Sequence, residues 1–184
     1  MSLAMIAVID TETNWSDRVM SIGTVIVREE DLSAQEKYYH VLTPEYQVGG
    51  MYDNALCLDD PGTVLCTRAE ALRFIQKQLR SNGVRKLFAY NACFDRNHLP
   101  ELRCFEWYDI MRIAAYRQTN PAIPAHADCC STGRLKRDYG VEPMLRLLSG
   151  KSSYQETHNA LDDALDELEI MRLLRRPVHT YFPL

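Results

Sequence analysis

The chain has 184 residues, enough for one well-buried core and marginal for two, and its 46% hydrophobic and 25% charged residues match an ordinary soluble domain. No apolar run approaches the roughly 20 residues of a membrane helix, and Asp10 interrupts the N-terminal apolar run with no cleavage-like site after it, which argues against a signal peptide. A formal net charge of −4 disfavours a protein that coats long duplex DNA through a broad basic face, but it leaves room for one that grips a few nucleotides at one end.

Met1–Leu3 reads as a leader, with Met5 as the native start. Ala4 to Ile9 is apolar without alternation, as in a central strand covered on both faces. Val19 to Val27 reads as a second strand, and the short polar link between the two predicts antiparallel neighbours. Gln35 to Leu42 alternates and reads as a third. Thr43 to Pro61, with two prolines and Gly49-Gly50, reads as an irregular insert. Thr67 to Arg80 reads as a helix with Leu72, Ile75 and Leu79 on one face, ended by Ser81-Asn-Gly83. Lys86 to Tyr90 is a short strand, and Phe94 to Leu99 a helix stopped by Pro100. Asp109 to Gln118 reads as a helix, Thr119 to Cys130 as a loop, and Ser131 to Tyr139 as a short basic helix closed by Gly140. His158 to Arg176 is helical, with a buried stripe through Leu161, Ala164, Leu165 and Leu168. The six cysteines (Cys57, Cys66, Cys93, Cys104, Cys129 and Cys130) show no Cys-x-x-Cys spacing, as expected for reduced thiols in a cytoplasmic protein.

Strands linked directly and then strands alternating with helices predict an α/β fold, a mixed sheet with helices on its faces. Acidic residues fall at three of its boundaries. Residues two apart on a strand point to one side, about 6.5–7 Å apart, so Asp10 and Glu12 can aim at one cation while Thr11 points away. Taken alone, the pair reads better as a polar turn after a buried strand. Asn91 reads as a helix N-cap and Asp95 as a first-turn acid favoured by the helix dipole; both roles can coexist with function. Phe94 reads as core rather than as a base-stacking platform. Asp162, Asp163, Asp166 and Glu167 form an acidic helix face of the kind that is usually just solvated; the helical wheel puts Asp163 at the rim of the apolar stripe without rejecting Asp162. Carboxylates gathered by a fold repel one another, and a hard divalent cation such as Mg²⁺ or Mn²⁺ relieves that repulsion. His158 adds an imidazole, a side chain able to accept a proton. These are the parts for metal-assisted phosphodiester hydrolysis.

Asp10-Thr-Glu-Thr13, Asn91-Ala-Cys-Phe-Asp95 and His158-x4-Asp163 resemble, in order, the three exonuclease motifs of the DEDDh family, which includes the proofreading epsilon subunit of bacterial DNA polymerase III and oligoribonuclease. The resemblance runs from about Met5 to Arg175. It implies a ribonuclease H-like fold with about five strands in the central sheet, filling one exonuclease domain over residues 1–184. It also implies a 3′→5′ exonuclease that releases nucleoside 5′-monophosphates. Two Mg²⁺ or Mn²⁺ ions would be held by Asp10, Glu12, Asp95 and Asp163, with His158 as general base. Thr11, Thr13 and Asn91 would contact substrate, and Trp15 would be a stacking wedge or a cover over the first turn. The implied partners are a single-stranded or frayed 3′ end and a DNA polymerase, with no membrane. Thr43–Pro61 and Thr119–Cys130 depart from the family pattern. The competing reading is a polymerase- or nuclease-associated docking subunit that uses the aromatic tail Arg175–Leu184.

Overall fold

The computed structural model describes residues 4–184; the leader expected at Met1–Leu3 lies outside them. Six strands form one mixed sheet: β1 (Met5–Thr13), β2 (Val19–Arg28), β3 (Ala34–Leu42), β4 (Thr63–Cys66), β5 (Lys86–Ala89) and β6 (Glu106–Asp109), in the order β4-β3-β2-β1-β5-β6. β1 and β2 pair antiparallel, as their short link predicted, and β2 and β3 do so too, whereas β4 lies parallel to β3, and β5 and β6 run parallel to β1. The helices are α1 (Arg68–Ser81), α2 (Cys93–His98), α3 (Met111–Ala114), α4 (Val141–Ser149) and α5 (Ala160–Leu174).

Strand alternation divides the core into two layers. Ile6 and Val8 of β1 face one way and pack with Met144 and Leu145 of α4 and Ala164, Leu168 and Met171 of α5. Ala7 and Ile9 face the other way, against Leu72, Ile75 and Leu79 of α1. α1 starts at a capping box in which Thr67 and Glu70 satisfy each other's free backbone donors. The glycine inside β2 serves helix seating. A Cβ built on Gly23 would lie 2.0 Å from the Ala160 carbonyl oxygen and 2.5 Å from the Leu161 nitrogen, so the first turn of α5 rests directly on the β2 backbone.

The structure departs from the sequence reading in several places. The sheet gains β4 at its edge, a four-residue strand too short for a pattern to reveal, and β6, which takes Glu106–Asp109. The helix expected over Asp109–Gln118 shrinks to the single turn of α3, because Asp109 ends a strand and its carboxylate accepts from the Met111 backbone N–H. Ser131–Tyr139 is not a helix. Leu135 is its only buried apolar residue, so it has no stripe to dock; the segment is held by turns, by isolated bridges at Arg134 and Leu135, and by Arg134 lying over the Tyr139 ring. The helix lies just beyond it: in α4, Val141, Met144 and Leu145 are buried. The insert 43–61 contains two short 3-10 turns, at Glu45–Val48 and Asp53–Ala55. Phe94 is not core. The inward side of the short helix α2 is taken by Asp95, which leaves Phe94 37% exposed beside His98. In the tail, Val178 and Tyr181 pack inward, while Phe182 and Leu184 stay exposed. All six cysteines are free thiols. Among the described residues, no helix is long and apolar enough to cross a membrane.

Candidate active site

The acidic residues converge where β1 outruns its parallel partner. β5 pairs with β1 only at Ala7 and Val8, so Asp10 to Thr13 extend past the end of β5, at the point where the connections leave toward opposite sides of the sheet. Such a point leaves a crevice between diverging loops. A register shift between Glu12 and Thr13 bends the strand end there. Asp10 and Glu12 continue the Ile6/Val8 side, which faces α5, and Thr11 continues the opposite side.

α5 supplies the second wall. Asn159 caps it: its side-chain oxygen accepts from the Leu161 and Asp162 backbone N–H groups at 3.1 and 3.4 Å. Asp163 on the first turn is 3% exposed and points inward, while Asp162 beside it is exposed. His158 precedes the cap, outside the helix, with a left-handed φ of 58°. One ligand atom each of Glu12, Asp163 and His158 lie within 4.8 Å of one another, close enough to surround a single small cation. Asp10 Oδ2 and Asp163 Oδ1 are buried with no hydrogen-bond partner, the state expected of carboxylate oxygens whose partner is an ion. Two carboxylates and one imidazole meet there, with Asp10 and Asp95 near enough to bear on one another by charge, and carboxylate oxygens are the donors that suit Mg²⁺ or Mn²⁺.

Asp95 enters from α2 and is 2% exposed. The Thr11 hydroxyl donates to its Oδ1 at 2.7 Å, so Thr11, expected against a nucleotide, directs its polar group inward onto a carboxylate. Thr13 is half-buried at the strand end. Asn91, also expected against substrate, is exposed in the turn before α2 with φ 61°, a conformation asparagine tolerates. It does not cap the helix: α2 has no side-chain cap, and the Asn91 backbone N–H is bound by the carboxylate of buried Asp109. Trp15 is 68% exposed, and its backbone N–H donates to Gly49.

Without a cation these acids are harder to ionise than free carboxyls. Burial first, then Asp95, Asp163, Glu12 and Glu156, push the Asp10 carboxyl well above the usual carboxylate range. Burial and then Glu156 raise Glu12 to about 7. Burial raises Asp95 to about 7, against the Thr11 hydrogen bond, and raises Asp163 to about 8 with help from Glu156 and Glu12. A bound divalent ion would reverse these directions.

Several contributors escaped the sequence reading. Glu167, placed there on a solvated face, is 1% exposed with Oε2 unpartnered, and after burial its largest charge neighbours are Asp10 and Asp95. Its position four residues after Asp163 puts it on the same helix face, which was the available signal. Glu156 has a raised pKa through burial and bears on Glu12 and Asp163; it lies two residues before His158 in extended chain. Tyr52, inside the irregular insert, stacks on His158, and no local pattern marks it.

No family model matches the chain, and no curated protein sequence matches it. Solved structures do. The nuclease domain of 3′hExo, a DEDDh family member bound to rAMP, aligns with a TM-score of 0.65 at 14% identity, over 99% of this chain and 96% of that one. A 3′-exonuclease that recognises the histone mRNA stem-loop aligns with 0.65 at 13% identity, covering 100% and 92%. Exonuclease I of E. coli, in complex with a 5cy-dT13 oligonucleotide, aligns with 0.58 at 13% identity, and this chain spans 42% of it. At such identities the likeness is one of architecture: the chain has the ribonuclease H-like α/β fold found in DEDDh exonuclease domains.

Proposed function

We propose that the protein is a metal-dependent 3′→5′ exonuclease that removes nucleoside 5′-monophosphates from single-stranded or frayed 3′ ends of DNA or RNA, acting from one domain. The observation that carries this reading is the meeting of Glu12, Asp163 and His158 within 4.8 Å, beside the unpartnered buried oxygens of Asp10 and Asp163. Asp10, Glu12, Asp95 and Asp163 would hold two Mg²⁺ or Mn²⁺ ions, which lower the pKa of water and stabilise the leaving oxygen when bound. Thr11 orients Asp95 through its hydroxyl. His158 would take the proton of the attacking water at a ring nitrogen and so must be neutral beforehand. Exposed Asn91 and Trp15 at the mouth would meet the terminal nucleotide.

The neighbours in fold support nucleic-acid ends as the ligand class, since one is bound to rAMP and another to an oligonucleotide. The motif resemblance to the epsilon subunit supports a DNA polymerase as partner. A docking subunit with idle carboxylates explains poorly why so many acids are kept buried without partners. The test is a panel of DNA and RNA strands, 5′-labelled when linear and internally labelled when circular, with Mn²⁺ or Mg²⁺. The expected result is a one-nucleotide ladder shortening from the 3′ end of linear strands, circles left intact, and loss of activity in EDTA. Cleavage of circles, or full activity in excess chelator, sinks the proposal.

A further inference from the structure

His158 has to present its ring to the carboxylates from outside any regular element. It precedes the α5 cap with φ 58°, and among the described residues no side-chain or backbone group hydrogen-bonds its imidazole. Working histidines are ordinarily fixed by a partner on the second ring nitrogen. Here the ring instead lies face to face with Tyr52, with centroids 3.8 Å apart and planes 16° from parallel. Face stacking restrains the tilt of the imidazole while leaving the nitrogens on its edge free.

Tyr52 can do this because its loop is fastened on both flanks. Asn14 Nδ2 donates to the Glu45 carbonyl at 2.8 Å, and the Trp15 N–H donates to the Gly49 carbonyl at 2.9 Å, tying the loop to the end of β1. Asn159 uses the other end of its capping amide to donate to the Ala55 carbonyl at 2.7 Å, tying the loop to α5. Leu56 is 3% exposed and packs with Met20, Val41 and Ala160. Gly50 approaches so closely that a Cβ there would sit 2.9 Å from the Thr13 carbonyl oxygen. The loop that carries Tyr52 is thus joined to both strand β1 and helix α5, the elements that carry Glu12 and Asp163.

We propose that Tyr52 is a positioning residue for His158, its ring holding the imidazole over Glu12 and Asp163; the catalytic consequence rests on the exonuclease reading. Tyr52→Phe and Tyr52→Leu are made in the wild-type and His158→Ala backgrounds. Two quantities are read: the NMR shifts and ring-to-ring NOEs of the His158 protons in metal-free protein, and kcat and KM at saturating Mn²⁺. The stack keeps the His158 ring protons upfield in the wild type and in Tyr52→Phe, and Tyr52→Leu moves them downfield. An aromatic pair of this kind corresponds to about a tenfold loss of kcat in Tyr52→Leu with KM unchanged. Tyr52→Phe stays near wild type, and in the His158→Ala background Tyr52→Leu costs nothing more.

Equal losses in both backgrounds, or a rise in KM alone, would assign Tyr52 to the substrate or the fold and overturn the proposal. So would unchanged His158 shifts in Tyr52→Leu. If the wild-type protein shows no hydrolysis, the exonuclease reading fails, and the NMR measurement still decides whether Tyr52 positions His158.

Discussion

Gly23→Ala tests the seating of α5, which brings Asp163 and Glu167 to the acidic cluster. The new Cβ would fall 2.0 Å from the Ala160 oxygen, 2.3 Å from its carbonyl carbon and 2.5 Å from the Leu161 nitrogen. Carbon contacts are comfortable at about 3.5–4.0 Å, so the first turn of α5 must retreat by on the order of 1 Å. All three atoms are backbone, so no side chain can swing aside. Asp10 pairs directly with Gly23 across the sheet, and Asp163 lies one helical turn beyond Ala160, so the retreat opens the gap between these two carboxylates. Overpacking of this kind costs about 1–3 kcal/mol of stability, and a displacement of about 1 Å at a reacting group costs about 10²-fold in rate. The assay combines thermal melting, Mn²⁺ calorimetry and turnover of a 3′-labelled oligonucleotide. Gly62→Ala, with nothing within 4 Å of the new methyl, is the neutral control. A Gly23→Ala protein with wild-type melting and Mn²⁺ affinity would refute the direct seating of the helix on β2.

Asp163→Asn should leave the circular-dichroism spectrum intact and metal-free melting no lower than wild type while Mn²⁺ affinity and hydrolysis collapse, since it removes a repelled ligand charge without changing packing volume; near-normal turnover in the folded variant would remove Asp163 from the metal site. Metal-free protein should lose stability as pH rises. Glu12 and Asp95 titrate near 7 and Asp163 near 8 when folded, against about 4 unfolded, so the folded state binds the extra protons over that window; the stabilisation is complete below the unfolded pKa and is lost as pH passes the folded ones. Melting temperature between pH 6 and 8.5 should therefore fall without cation and recover with Mn²⁺, most strongly at the alkaline end; a flat metal-free profile contradicts this. Glu167→Gln keeps the shape of a side chain that is 1% exposed and removes its charge, so metal-free protein at pH 8 should melt higher; a lower melting temperature would mean that the charged carboxylate is itself required there.

Features that rest on local period were legible in the chain. The apolar run before Asp10 marked β1, the short polar link marked β1 and β2 as antiparallel, and the stripe through Leu72, Ile75 and Leu79 marked α1. The resemblance to three ordered motifs, rather than local period, grouped Asp10, Glu12, Asp95, His158 and Asp163 before any fold was known. Which groups face one another is set by the assembled fold. The environment of Glu167 depends on α5 lying over Asp10, not on its own neighbours in the chain. Phe94 turned outward because Asp95 took the inward side of a six-residue helix. The burial of Thr11 against Asp95 joins residues 84 positions apart. The stack of Tyr52 on His158 closes a still longer loop, through a segment with no period at all. Periodicity reports how one element meets a core, whereas a site is made by contacts between elements, and burial and charge at those contacts are properties of the assembled fold.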